Sequence, residues 1–338
     1  MIKEAIETII QGRHLSEEEM MGAMECIMDG EASPTLIGSF LTALKMKGET
    51  PDEITGGAKV MRKKAEKINL NDLYTLDTCG TGGDSAGTFN ISTAVAFVAA
   101  AAGIPVVKHG NRSVSSKSGS ADVLEALGVN INLLPRQVEE CVKAQNIGFL
   151  FAPTFHKAMK HALGPRKELG FRTIFNILGP LTNPANAKAQ VLGVFDGNLT
   201  EPIAKVLLNL GVEHAMVVHG MDGLDEITTT HKTKVTEVKN HEIKTYYISP
   251  EEFGIARCQK EDLLGGDAGE NAEIIKNLFQ GEKGPKRDIL LLNSGAALYV
   301  GGKAKSLEEG IYIAGELIDG GYAQKKLDEF AEYTRRIT

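Results

Sequence analysis

Three stretches carry residue types whose spacing suits phosphate and metal chemistry. The first, residues 77–93, reads Asp-Thr-Cys-Gly-Thr-Gly-Gly-Asp-Ser-Ala-Gly-Thr-Phe-Asn-Ile-Ser-Thr. Four glycines (Gly80, Gly82, Gly83 and Gly87) lie between an apolar run at 73–76 and an Ala-rich run at 94–102. A strand, a glycine loop and a helix in that order turn consecutive N–H groups into a concavity backed by a helix N-terminus, an anion site. Asn90, Ser92 and Thr93 fall where N-cap and first-turn residues belong, their side chains free for helix N–H groups or for a phosphate. The stretch is neither an ordinary P-loop nor a dinucleotide fingerprint, since Ser85 occupies the last glycine position of the latter. A glycine-rich turn that only reverses the chain is the alternative.

The second stretch, residues 108–120, sets Lys108, His109, Arg112 and Lys117 among serines and the glycines Gly110 and Gly119. Cations supply charge to an oligophosphate, while hydroxyls and N–H groups supply donors. It follows an apolar run at 105–107 and precedes an amphipathic helix at 121–127, so it belongs at a strand's C-terminal end, where open α/β sheets bind ligands. A solvated basic loop is the alternative. The third, residues 220–227, places adjacent Asp225 and Glu226 after an apolar run. Alone such a pair is solvated; beside two phosphate loops it offers hard oxygens to Mg²⁺.

The elements that must position these groups follow from periodicity. Residues 1–70 read as helices throughout, with a Ser16–Glu19 capping box, Ser33-Pro34 and a Thr50-Pro51-Asp52-Glu53 start. Their Met, Ile and Leu faces (Met20, Met24, Ile27, Met28, Ile37, Phe40, Leu41, Leu44) predict core and a dimer interface. From residue 73 short apolar strands at 75–78, 105–108, 148–152, 190–194 and 214–219 alternate with helices, the pattern of a largely parallel sheet. Alternation between 233 and 248 predicts an antiparallel hairpin, and residues 272–337 are again helical, with Gly320-Gly321 separating the last two helices. The fold class expected is α/β: a small all-helical N-terminal domain plus a larger α/β domain with a mostly parallel central sheet flanked by helices.

The 338 residues can bury a large core, and 42% hydrophobic with 24% charged residues is an ordinary globular balance. A net charge of −7 argues against general nucleic-acid binding. Cys26, Cys79, Cys141 and Cys258 form no C-x-x-C pair, so a reduced, cytoplasmic chain is expected. The N-terminus opens with Lys3, Glu4 and Glu7 rather than a signal peptide. The uncharged run 85–107 reads as a buried helix followed by a buried strand, and no membrane partner is expected.

In these motifs the sequence resembles the anthranilate phosphoribosyltransferase family: Gly80-Thr81-Gly82-Gly83-Asp84, Asn90-Ile91-Ser92-Thr93, Lys108-His109-Gly110-Asn111-Arg112 running into Gly119-Ser120-Ala121-Asp122, Gly164-Pro165-Arg166, the 176–184 stretch and Asp225-Glu226. They occur in family order and spacing across nearly the whole chain. The resemblance implies a helical domain at 1–70, joined in space by about 165–185, and an α/β domain at 71–338 that binds phosphoribosyl pyrophosphate. It implies Mg²⁺ dependence and a homodimer through the helical domains. Phosphoribosyl pyrophosphate would be held by Gly80, Gly83, Asp84, Thr88, Asn90, Ile91, Ser92, Thr93, Lys108, His109, Gly110, Asn111, Arg112, Ser113, Val114, Ser115, Ser116 and Ser120. Anthranilate would meet Gly80, Asn111 and Arg166, and the metal Ser92, Asp225 and Glu226.

No general acid or base is assigned. His109 either lines the pocket or satisfies loop backbone, and His156 and His161, taken as lying on one helix, read as packing or rim residues. A pyrimidine-nucleoside phosphorylase of the same architecture and a non-enzymatic nucleic-acid-binding relative are the rival readings. The second should be basic and should have lost the acidic pair.

Overall fold

The computed structural model of the chain describes residues 1–70, 73–84, 86–113 and 117–337. Four helices come first: α1 (Ile2–Ile10), α2 (Glu17–Met28), α3 (Pro34–Lys47) and α4 (Pro51–Lys64). Their starts are written in the sequence. Ser16 with Glu19 and Thr50 with Glu53 form complete capping boxes, and the Ser33 hydroxyl accepts from the Leu36 N–H at 3.3 Å. Proline opens both α3 and α4, where its missing N–H is not needed.

Strands and helices then alternate: β1 (Leu76–Gly80), α5 (Ile91–Ala101), β2 (Val106–Gly110), α6 (Ser120–Ala126), α7 (Pro135–Gln145) and β3 (Ile147–Phe151). A short α8 (Ala152–Phe155), α9 (Lys160–Leu169) and α10 (Ile174–Leu181) lead back to β4 (Ala189–Gly193), α11 (Thr200–Asn209) and β5 (His214–Gly220). The hairpin β6 (Thr233–Lys239) and β7 (Glu242–Ile248) precedes α12 (Ala268–Phe279), α13 (Pro285–Val300), α14 (Leu307–Asp319) and α15 (Tyr322–Arg336).

The sheet has seven strands in the order β3-β2-β1-β4-β5-β6-β7. The first five are mutually parallel; β6 and β7 add on antiparallel. Successive strand residues alternate between two apolar cores, as the pleat requires. Val191, Met216 and Val218 face a core built with α5, α12, α13 and α15, whereas Leu192, Ala215 and Val217 face a second. That second core also takes the faces of α1 to α4 and Ala162, Ile174, Phe175, Ile177, Leu178 and Leu181 from α9 and α10.

The uncharged run resolves into α5, buried at nine positions and packed on α13 and α15, followed by the buried strand β2. No described helix is long and apolar enough to cross a membrane. The chain reverses its direction of travel across the sheet between β1 and β4. Ligands of open α/β sheets bind beside such a switch point, outside the strands' carboxyl ends.

Candidate active site

The strand ends at the switch point are glycines. Gly80 of β1 and Gly193 of β4 are register partners, and Asp225 lies over both. A Cβ on Gly80 would meet the Asp225 carboxylate, and one on Gly193 would meet its backbone. Only this side-chain-free pair lets the loop after β5 settle onto the sheet edge.

Asp225 Oδ2 accepts from the Gly82 N–H at 2.8 Å, and Glu226 Oε1 accepts from the Ser92 N–H at the start of α5 at 3.2 Å. The acidic pair therefore grips both ends of the glycine-rich loop. Asp84 crowds it, its Oδ2 accepting from the Asp225 N–H at 3.5 Å. Burial, reinforced by Asp84, raises the Asp225 carboxyl to about 7. Burial, reinforced by Asp225, raises Glu226 to about 8. Oxygen donors that resist ionising alone and hold few other cations suit a hard divalent ion, and Mg²⁺ takes few protein ligands in phosphate sites. The donor set fits Mg²⁺.

The glycine-rich loop is tied down elsewhere. Thr88 bridges to Leu264, and the Gly265 N–H donates to Gly87 O at 2.9 Å. Asn90 occupies the N-cap of α5, but its side chain caps nothing. Instead its Nδ2 donates to Ser118 O at 3.2 Å and its Oδ1 accepts from Asn271 Nδ2 at 3.0 Å, coupling the first loop to the second. Ile91 and Thr93 are buried in the first turn of α5.

Two cations of the basic stretch are already engaged. Lys108 is buried, and its Nζ donates to Thr78 O at 2.5 Å and to Ser92 Oγ at 3.3 Å. Desolvation lowers its affinity for its proton. The Arg112 guanidinium pairs with Asp122 at 2.9 Å and Glu125 at 2.5 Å on α6. Asp122 also accepts from the Ser113 and Gly119 N–H groups at 3.0 and 2.9 Å, closing the loop on itself. Ser120 Oγ donates to Asn111 O at 3.3 Å, and Gly110 ends β2. The expected contacts of Val114, Ser115 and Ser116 lie outside the described residues.

His109 and His156 face each other with ring centroids 5.0 Å apart. Burial lowers His109 to about 3 and His156 to about 4, so both are neutral imidazoles at pH 7. Each bonds backbone, at Gly179 and Thr182 respectively, and the Nε2 of each is buried with no partner among the described residues. The expectation that His156 and His161 share a helix is corrected. His156 caps α8, a 3-10 turn (Lys157–Met159) follows, and His161 lies in α9 against Gly30. Pro153 opens α8, whose C-cap His156 leaves the helical region at φ −110° and ψ 56°.

Arg166 stands apart. It lies on α9 with its guanidinium 5.2 Å from the Phe175 ring centroid, and burial alone lowers its proton affinity. Among the described residues no ion pair or hydrogen bond of its side chain joins it to Asn111 or the loops. Sequence reasoning passed over Arg172, which donates to Gly83 O and stacks on Phe195 at 4.1 Å, and Asn271 and Asn293, both buried. Asn293 had a readable signal: a poor helix former inside the apolar run of α13.

Known proteins share this architecture. A family model described as glycosyl transferase family, helical bundle domain, matches residues 3–65, and one described as glycosyl transferase family, a/b domain, matches residues 73–324. The chain is 67% identical over 334 residues to the anthranilate phosphoribosyltransferase of Acetivibrio thermocellus, covering 99% of this chain and 97% of that relative. The crystal structure of anthranilate phosphoribosyltransferase from Thermus thermophilus superposes with a TM-score of 0.93 at 44% identity, over 98% of this chain and 99% of that one. The Saccharomyces cerevisiae enzyme, solved in complex with PRPP and Mg, gives a TM-score of 0.91 at 28% identity, over 99% of this chain and 98% of that one. Likeness of this extent, in both sequence and structure, places the chain in the anthranilate phosphoribosyltransferase family.

Proposed function

We propose that this chain transfers the phosphoribosyl group of phosphoribosyl pyrophosphate to the amine of anthranilate, in tryptophan biosynthesis. The observation that carries the reading is the convergence of the glycine-rich loop, the end of β2 and the Asp225-Glu226 arm at the switch point. A bond forms between the amine nitrogen and the anomeric carbon while the bond to pyrophosphate oxygen breaks. The aryl amine is neutral at pH 7 with its lone pair free, so no strong base is needed before attack, and the excess proton leaves from the product nitrogen. Catalysis then reduces to positioning and to neutralising the leaving group.

Asp225 and Glu226, with Ser92, would hold Mg²⁺. When bound, the ion offsets the charge growing on pyrophosphate. The loop residues named above would hold the phosphates, and Asn111 and Arg166 the anthranilate, the guanidinium pairing with its carboxylate. The division proposed is a helical domain at 1–70 joined by about 165–185, and an α/β domain at 71–338, in a cytoplasmic enzyme. Formation of phosphoribosyl anthranilate, run beside nucleoside phosphorolysis and a salt-dependent DNA shift, tests the reading. Phosphorolysis or DNA binding without transfer would overturn it.

We also propose a homodimer through the helical domains. The reason is narrower than the sequence implied, because Met20, Met24, Ile27, Met28, Ile37, Phe40, Leu41 and Leu44 are all buried within the chain itself. What remains is a groove of about 1030 Å³ between α1, α3 and α9, edged by the exposed Ile10 and Met46. Sedimentation should show a dimer at micromolar concentration and a monomer for an Ile10→Glu, Met46→Glu variant. A wild-type monomer would remove the proposal.

A further inference from the structure

Ile227 follows directly on the acidic pair, and a single side chain from α13 holds its backbone at both ends. The Ile227 N–H donates to Asn293 Oδ1 at 2.9 Å, and its carbonyl accepts from Asn293 Nδ2 at 2.8 Å. The same Nδ2 donates to Ile289 O, one turn back in α13, at 2.9 Å. Asn293 is 1% exposed, and Ile227 is wholly buried. Leu290, Leu292, Ala296 and Ala297 around it are buried apolar residues, so Asn293 is a polar side chain in an apolar stretch of the helix. Asparagine is a weak helix former, and its buried amide is tolerated only because its polar atoms are matched.

The grip is the kind a neighbouring strand would give, supplied here at one residue. The arm requires one. A Cβ on Gly80 would meet the Asp225 carboxylate and one on Gly193 its backbone, so the arm must be held close against the strand ends. On the far side Asp222 bonds the Thr228 hydroxyl at 2.9 Å and that of Thr230, rigidifying the loop without tying it to a helix. Helix α13 also packs on α5, whose first turn holds Glu226. One helix thus backs both the arm and the loop end that it grips.

We propose that Asn293 is a positioning residue that fixes the Asp225-Glu226 carboxylates over the strand ends by holding both backbone groups of Ile227. The proposal rests on the reading of this pair as the metal arm. Asn293→Leu keeps the heavy-atom count and branching and removes all three bonds; Asn293→Ser is read by the same criteria if the bulkier leucine variant does not fold. Three measurements apply: hydrogen exchange in the metal-free protein, Mn²⁺ binding with phosphoribosyl pyrophosphate by water proton relaxation, and steady-state kinetics.

Exchange at 225–228 should quicken by at least about tenfold while β1 and β4 stay protected. Mn²⁺ affinity should fall by about ten- to a hundredfold, as it does when partners of metal ligands are lost. The KM for anthranilate should stay within about twofold. A folded variant with wild-type exchange and Mn²⁺ affinity overturns the proposal. So does one in which the whole sheet exchanges faster and both KM values shift together. Asp225→Asn with Glu226→Gln serves as the reference. If that variant binds Mn²⁺ normally, the metal-arm reading falls and takes the Asn293 proposal with it. If it binds weakly while the Asn293 variants do not, Asn293 alone is wrong.

Discussion

The two sides of the candidate site are built differently. On the side proposed for the phosphoribosyl donor, Asp225, Glu226, Lys108 and Arg112 already have partners. Asp225 and Glu226 accept from loop N–H groups, Lys108 donates across to β1, and Arg112 is paired on α6. On the side proposed for the acceptor, Arg166 leans on Phe175 with no ion pair among the described residues. The donor side hangs on strand ends within one sheet, the acceptor side on helices that pack with the N-terminal bundle. A leaving group whose charge grows during reaction benefits from dipoles that do not reorganise. A carboxylate that must enter and leave is better met by a guanidinium not already neutralised.

The sharpest way to break this comparison is at the arm. Replacing Asp225 by Asn and Glu226 by Gln removes two charges at almost constant volume. Turnover should fall at least about tenfold, roughly 1.4 kcal/mol in the barrier. A Mg²⁺ titration of rate that superposes on the wild type would show that the arm holds no metal.

A smaller and more selective effect is expected opposite. Arg166→Ala removes a charge-assisted contact of about 1.5–3 kcal/mol, raising the KM for anthranilate roughly tenfold. The KM for phosphoribosyl pyrophosphate should move much less. Equal shifts in both would erase the division between the two sides.

The seam between them provides the smallest and most graded test. His109 lies in β2 beside its last residue, and His156 caps α8. Burial holds His156 at about 4 when folded, below its ordinary 6.5. The unfolded chain therefore binds more protons between these values, and the stability contributed by neutral His156 is complete above pH 6.5 and lost as pH falls towards 4. His156→Gln should flatten the stability profile in that window by up to about 1.4 kcal/mol per pH unit. Urea midpoints at pH 4.5, 5.5 and 7 measure it, and parallel profiles for the two proteins would place a charged histidine at the seam.

Legibility in sequence followed the same division. The donor side was readable because its determinants are local. Glycines cluster where backbone must approach a ligand, and apolar runs such as the one ending at Val107 mark strands buried on both faces. Caps at Ser16 and Thr50 are likewise short-range and appear where the spacing put them. What escaped notice depends on how the chain folds back or breaks, or on partners distant in sequence. The engagement of Arg112 by Asp122 and Glu125 is set by how α6 folds back, so the loop looked more cationic than it is. Asn90 looked like a cap until Asn271, 181 residues later, claimed its oxygen. The break between His156 and His161 depends on how α8 ends, which helical spacing alone does not reveal.

The anchoring of Ile227 by Asn293, 66 positions further on, also bears on biosynthesis. Chains are made from the N-terminus, and early segments begin to fold while later ones are still being added. A nascent chain that has just completed β5 and its acidic loop has both carboxylates but not the helix that seats them. The bonds from Asn293 to Ile227 can form only after α13 has emerged and docked. A ribosome stalled before that helix therefore displays an acidic loop without the two backbone bonds that Asn293 supplies.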